Sequence, residues 1–146
     1  MDNNQNPARG AEFERQAQDI LSEHFGVVLQ RACAIPIGYP PLLKEHQFDL
    51  ATEDLKCVGE CKNISWTESG NVPSAKMTSV NQAVFYLTFV SDAKYRFVVM
   101  KRDTHPRRQE TLAEYYYRTY RHLLGEIFII EIDITTKAVK EFGKSS

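Results

Sequence analysis

Apolar positions along this chain switch between two periods, and the switches outline the elements. From residues 10 to 25 they recur at helical spacing. With Phe13 at zero on a wheel of about 100° per residue, Ala17, Ile20, Leu21, His24 and Phe25 gather in one arc. Glu12, Asp19 and Glu23 fall outside that arc. Glu14 falls inside it, next to Leu21, and an acid on an apolar face needs a reason. Gly26 stops the helix. Residues 27–37 are β-prone and read as a first strand, broken by Gly38-Tyr39-Pro40-Pro41. Residues 47–52 form a short strand, with Phe48 and Leu50 on one face and Asp49 and Ala51 on the other. Glu53-Asp54 turns into a third strand over 56–65, and this hairpin sets Asp49 near Glu60.

A polar loop, 66–74, ends near Pro73. The pattern then predicts a second helix over 75–90 and a buried strand over 95–101, where apolar residues run without a break. His105-Pro106 opens a third helix, with Pro106 in its first turn. Its core stripe is Leu112, Tyr116, Tyr120 and Leu123. Gly125 closes it, 127–134 is a strand, and 138–142 is a short hairpin partner for that strand. Residues 1–9 are a loose polar lead-in, and 10–146 form one domain. The fold class is α/β, a mixed sheet flanked by helices on both faces.

Composition narrows the class without naming a function. The 146 residues carry a net charge of -1, with 42% hydrophobic and 25% charged residues, as in ordinary globular chains. No apolar run is long enough to span a bilayer, and residues 1–6 lack the apolar core of a signal peptide. The three cysteines, Cys33, Cys57 and Cys61, read as reduced core thiols of a cytoplasmic protein. The charge is uneven. Between Lys94 and His122 there are eight Lys or Arg (94, 96, 101, 102, 107, 108, 118, 121) and three acids (103, 110, 114). A basic third beside an acidic cluster suits a metal nuclease, and equally many proteins without a nucleic-acid partner.

The stretch that carries chemistry is Val58-Gly59-Glu60-Cys61-Lys62-Asn63. Strand alternation puts Glu60 and Lys62 on one face, roughly 7 Å apart. Near a core such a pair is costly unless it is satisfied or holds something. A hard divalent cation takes oxygen ligands, and Asp49, Glu60 and the Cys61 carbonyl are suitable types. Glu14 is suited to a second metal or an outer-sphere water. Lys62 brings one mobile positive charge that can orient a water or stabilise a phosphoryl transition state. Each residue also has a plainer reading: Glu60 with Lys62 as a surface pair, Asp49 as a turn residue, Glu14 as a helix-start acid, Gln82 as a polar helix residue.

Taken together, Gly10-Ala11-Glu12-Phe13-Glu14, Phe48-Asp49, Gly59-Glu60-Cys61-Lys62 and Gln82-x3-Tyr86 resemble the PD-(D/E)xK nuclease superfamily. The likeness runs from Gly10 to about Lys101. It implies a restriction-endonuclease-like core, α-β-β-β-α-β, here followed by a further helix and strand. It implies that Asp49 and Glu60 bind Mg²⁺ or Mn²⁺ and that Lys62 is the catalytic lysine. Glu14 matches the first-helix glutamate of the Holliday-junction-resolvase and Mrr-like branches, and Gln82 with Tyr86 matches the motif of RecB-type members. One departure is Phe48, which stands where the motif has proline. The function so implied is a metal-dependent endodeoxyribonuclease acting on DNA, working as a homodimer. The alternatives are a catalytically silent module of the same fold that binds DNA or assembles proteins, and an unrelated small α/β protein in which Glu60 and Lys62 are a structural pair.

Outside the motif, Lys101, Arg102, Arg107 and Arg108 read as contacts to DNA phosphates or as a solvated charged loop. Tyr86 joins them as a nucleic-acid contact. His24 reads as a packed core histidine, and His46, close before Asp49, as a loop residue or a substrate contact. Trp66 is either a lid on the core or a stacking surface. Tyr116 reads as core, with Tyr115 or Tyr117 left for a dimer surface.

Overall fold

The computed structural model describes residues 7–143, so the first part of the expected lead-in lies outside the described residues. The rest of that lead-in is helical: α1 spans Pro7–Phe25 and ends at Gly26, whose φ of +67° favours glycine. Then come β1 (Gln30–Ile37), β2 (Lys44–Ala51), β3 (Cys57–Lys62), α2 (Ser74–Leu87), β4 (Tyr95–Lys101), α3 (Leu112–Tyr120), β5 (Phe128–Ile132) and β6 (Val139–Phe142). The six strands form one sheet in chain order. β1, β2 and β3 pair antiparallel, β3 to β4 and β4 to β5 are parallel, and β5 to β6 is antiparallel. Parallel neighbours need a crossover, and α2 and α3 supply the two that this order demands.

Two cores sandwich the sheet. On one face, Met77, Val80, Val84 and Leu87 of α2 and Leu112 and Tyr116 of α3 pack on Val58, Val98, Met100 and Ile129. On the other, Phe13, Ala17, Ile20 and Leu21 of α1 pack on Leu50, Phe97, Val99, Ile130 and Ile132. The strands β4 and β5 are covered on both sides, which explains their unbroken apolar runs. Among the described residues no helix is long and apolar enough to cross a membrane.

Four sequence expectations need correction. Phe48 and Leu50 do not share a face: Phe48 lies in the core under α2 and Leu50 in the core under α1. The β1–β2 pairs Arg31↔Leu50 and Cys33↔Phe48 skip the position between them, where Ala32 has a φ of +57° opposite Asp49. That left-handed residue interrupts the pleat, and the alternation resumes one position out of step. Helix α3 starts at Leu112 rather than beside Pro106, because a capping box fixes its start. Thr111 accepts the Glu114 backbone N–H, and the Glu114 side chain accepts that of Thr111. Its stripe is also shorter than expected. Beyond Tyr120 the chain tightens into a 3₁₀ turn, Arg121–Leu123, and Leu123 is left 64% exposed. Finally, His24 is not a core residue: its Nε2 meets Glu141 Oε2 at 2.7 Å near the surface.

Candidate active site

The β2–β3 pairing is short. It joins Leu50 to Gly59 and Ala51 to Val58, and then the strands part at Asp49 and Glu60. Side chains take over from the ladder there. One Asp49 carboxylate oxygen accepts the Cys61 N–H at 2.8 Å, and the Asp49 N–H donates to Glu60 Oε1 at 3.2 Å. Opposite, the left-handed Ala32 drops out of the β1 pairing with Asp49, although the register on either side is unchanged. The acid thus sits where its strand is loosened from both neighbours, in a fork filled by two carboxylates. Lys62 follows on β3, half-buried. It lines a cleft of about 370 Å³ with Gly10 of α1 and Ala75, Lys76 and Ser79 of α2.

Burial dominates the electrostatics. Glu60 is 6% exposed, one of few polar side chains in the interior. Burial, then the Asp49 charge, push its carboxyl up to about 8, against the opposing pull of Lys62. Asp49 is also raised by burial, countered by the Cys61 N–H, Lys62 and Arg31. Glu14 of α1 is raised by burial and by Asp49, and it binds the Arg31 guanidinium at 3.3 Å. The mutual effects of Asp49, Glu60, Glu14 and Lys62 show that the fold brings all four together. The Cys61 thiol belongs to the core under α1, and burial holds it well above the usual thiol range, so it stays protonated.

Gln82 and Tyr86 connect to the fork indirectly. Gln82 Nε2 donates to the Tyr86 hydroxyl at 3.2 Å, and the Tyr86 ring lies 4.2 Å from that of His46, tilted by 30°. His46 Nε2 is buried without a hydrogen-bond partner and lies 3.6 Å from Glu60 Oε1, just beyond bonding distance. Burial, followed by the Lys62 charge, lowers the His46 pKa. His46 is therefore not a loop residue: β2 extends back to Lys44, and His46 faces the site. The polar run Lys44-Glu45-His46-Gln47 has low strand propensity, which hid that extension. Its one legible signal was the two-residue spacing to Phe48, whose ring it meets edge-on. Arg31 was missed altogether, since a lone cation on an edge strand carries no pattern.

The basic residues read as DNA contacts or as a solvated loop each bond to a neighbouring segment. Lys101 Nζ donates to Ser65 Oγ, Arg102 to Glu131, Arg107 to the Ser69 carbonyl and Arg108 to the Gly70 carbonyl. Arg108 also covers Trp66 at 4.4 Å, and Trp66 is buried, which makes it a lid on the core.

Among the described residues no group of three or more His, Cys, Asp and Glu side chains is arranged to hold a metal ion. The fork instead offers two carboxylates and backbone oxygen. These are hard donors, and a buried acid beside a half-buried one, both with raised pKa, form a pocket whose ionised state a divalent cation would stabilise. The residues present therefore fit such an ion. Comparison of the chain with protein-family models, with curated proteins and with solved structures finds no match.

Proposed function

We propose that this protein is a Mg²⁺- or Mn²⁺-dependent nuclease that hydrolyses phosphodiester bonds in DNA, built on a restriction-endonuclease-like core. The observation that carries this reading is the fork itself. Asp49 and Glu60 meet where β2 and β3 part, with Lys62 two residues on and open to a cleft. The element order α1-β1-β2-β3-α2-β4 and the motif resemblance support it.

In this reading Asp49, Glu60 and the Cys61 carbonyl hold the cation, with Glu14 behind them. The bound ion would supply Lewis acidity and a water of lowered pKa. The chain does the rest. The Cys61 N–H fixes the Asp49 carboxylate, and the Asp49 N–H fixes that of Glu60, so both acids are oriented before any ligand arrives. Lys62 brings a positive charge to the cleft, where charge develops on a phosphoryl oxygen. Gln82 aligns the Tyr86 hydroxyl, and Tyr86 backs His46 against Glu60. A pair of such subunits would cut both strands of a duplex.

The test is cleavage of labelled linear, nicked, flapped and four-way DNA with Mg²⁺ or Mn²⁺. Asp49→Ala, Glu60→Ala and Lys62→Ala are each expected to lower the rate by at least about a hundredfold, with folding verified by circular dichroism. Full activity in both Asp49→Ala and Lys62→Ala sinks the reading. One observation favours a second reading, a silent module of this fold: both carboxylates already accept backbone N–H groups and so have a structural use. Calorimetry separates the two, because a silent module binds DNA and takes up neither Mg²⁺ nor Mn²⁺.

A further inference from the structure

Five rings run in unbroken contact from the surface to the fork. Tyr39, on the turn after β1, meets Phe89 edge-on at 5.2 Å. Phe89 meets Phe85 at 5.4 Å, Phe85 lies 6.3 Å from Tyr86, and Tyr86 lies 4.2 Å from His46. His46 ends the series beside Glu60. Two of the five are open to solvent, Tyr39 at 76% and Phe85 at 61%, and Phe89 between them is half-buried. His46, Phe85, Tyr86 and Phe89 also line a cavity of about 370 Å³ whose polar wall is Lys44 and Glu45. That volume lies within the usual range for ligand pockets, about 300–1,000 Å³.

Two exposed rings backed by three half-buried ones make an aromatic patch suited to a partner. This series is built of rings, borders a cavity walled by Lys44 and Glu45, and leads to acids and a lysine suited to phosphodiester chemistry. Those features match a nucleobase better than an aliphatic protein surface, because every base has a π-face and stacks on an aromatic ring whatever its sequence. Bases inside a duplex are already paired and stacked, so only unpaired ones can use the track.

We propose that the series Tyr39, Phe89, Phe85, Tyr86 and His46 is a stacking track for unpaired bases, which makes DNA with a single-stranded segment the substrate class of the Glu60 site. The proposal rests on the nucleic-acid reading of that site and narrows it. Lys44 meets the backbone at the cavity wall, and the strand passes along α2 towards Lys62.

The experiment uses the full chain in EDTA, where binding is read without cleavage. The probes are a 2-aminopurine-labelled single strand and the blunt duplex of the same sequence. The wild-type protein is expected to quench the fluorophore and to bind the single strand at least tenfold more tightly. Phe85→Ala and Phe89→Ala should each lose about tenfold in single-strand affinity and leave duplex affinity unchanged. Phe85→Trp, which keeps a stacking face, should retain binding. Phe85 is largely exposed, so its truncation leaves the core intact. Stacking without cleavage when Mn²⁺ is added supports the track and overturns only the hydrolytic reading. Equal affinity for both DNAs, or fluorescence unchanged by the protein, overturns the proposal. So does a change in self-association by light scattering with DNA affinity unaltered, which would make this aromatic face an interface between copies.

Discussion

Glu60 is the most buried acid of the proposed site, and its burial has a consequence for stability. Its folded pKa, about 8, lies above the ordinary value of 4.5. Below that ordinary value both folded and unfolded chains hold the proton, and the full contribution is present. As pH rises from there towards about 8, the unfolded chain ionises freely while the folded one resists, and stability falls. Asp49 is raised as well and acts in the same direction. In metal-free buffer the protein is expected to unfold at lower denaturant concentration at pH 8 than at pH 5. Glu60→Gln should flatten that dependence and gain on the order of 2 kcal/mol at pH 8. A denaturation series across pH checks it, and an unchanged slope in the variant would refute the cause given. Gly59, beside it, has a different task. It lies opposite Phe97 in the parallel pairing with β4, and an added Cβ would overlap the Phe97 ring. Gly59→Ala is expected to destabilise by about 1–3 kcal/mol through overpacking, visible as a lower denaturation midpoint.

Among the elements, the starts and stops show how far the sequence could be read. Glycine stops at Gly26 and Gly125 were visible because a positive φ favours glycine. Strand β4 was placed residue for residue, since an apolar run flanked by charge admits few other readings. The start of α3 was misplaced, because Pro106 is a strong local signal and the Thr111–Glu114 box a quieter one. The box prevails through tertiary support: the Thr111 hydroxyl also donates to the buried Glu131 carboxylate. Thr111→Val removes the cap and strips Glu131 of a partner. It is expected to cost about 2–3 kcal/mol, more than a surface cap alone. Thermal unfolding checks this, and a loss under about 1 kcal/mol would show that the cap is incidental.

For the whole molecule, the site depends on both layers. Helix α1 brings Glu14 from one face, α2 backs His46 through Tyr86 from the other, and the fork lies between. A cation in that fork would lower the cost of ionising Asp49 and Glu60, so binding and folding are linked. Mn²⁺ is expected to raise the unfolding temperature by several degrees, more at pH 8 than at pH 5, and EDTA should reverse the rise. Scanning fluorimetry on the wild-type protein and Asp49→Ala checks it. An equal rise in the variant would place the ion elsewhere.

The sequence by itself determined the α/β class, the order of the elements, and the presence of Glu14, Asp49, Glu60 and Lys62 on neighbouring ones. These are local properties, set by periodicity, chain-breaking residues and short turns. Only the tertiary structure decided how those residues meet. The left-handed Ala32 and the early end of the β2–β3 ladder shift the pleat at Asp49, and strand alternation alone put Phe48 and Leu50 on one face. His46 and Arg31 came to lie beside the acids, while Arg102 was drawn to Glu131 of β5 and Arg108 to the loop at Trp66 and Gly70. Such outcomes depend on partners distant in the chain, Glu131 for one arginine and Trp66 for the other, and no local pattern encodes a partner. The acids were legible because strand order put them side by side. Their environment was not, because burial belongs to the packed whole.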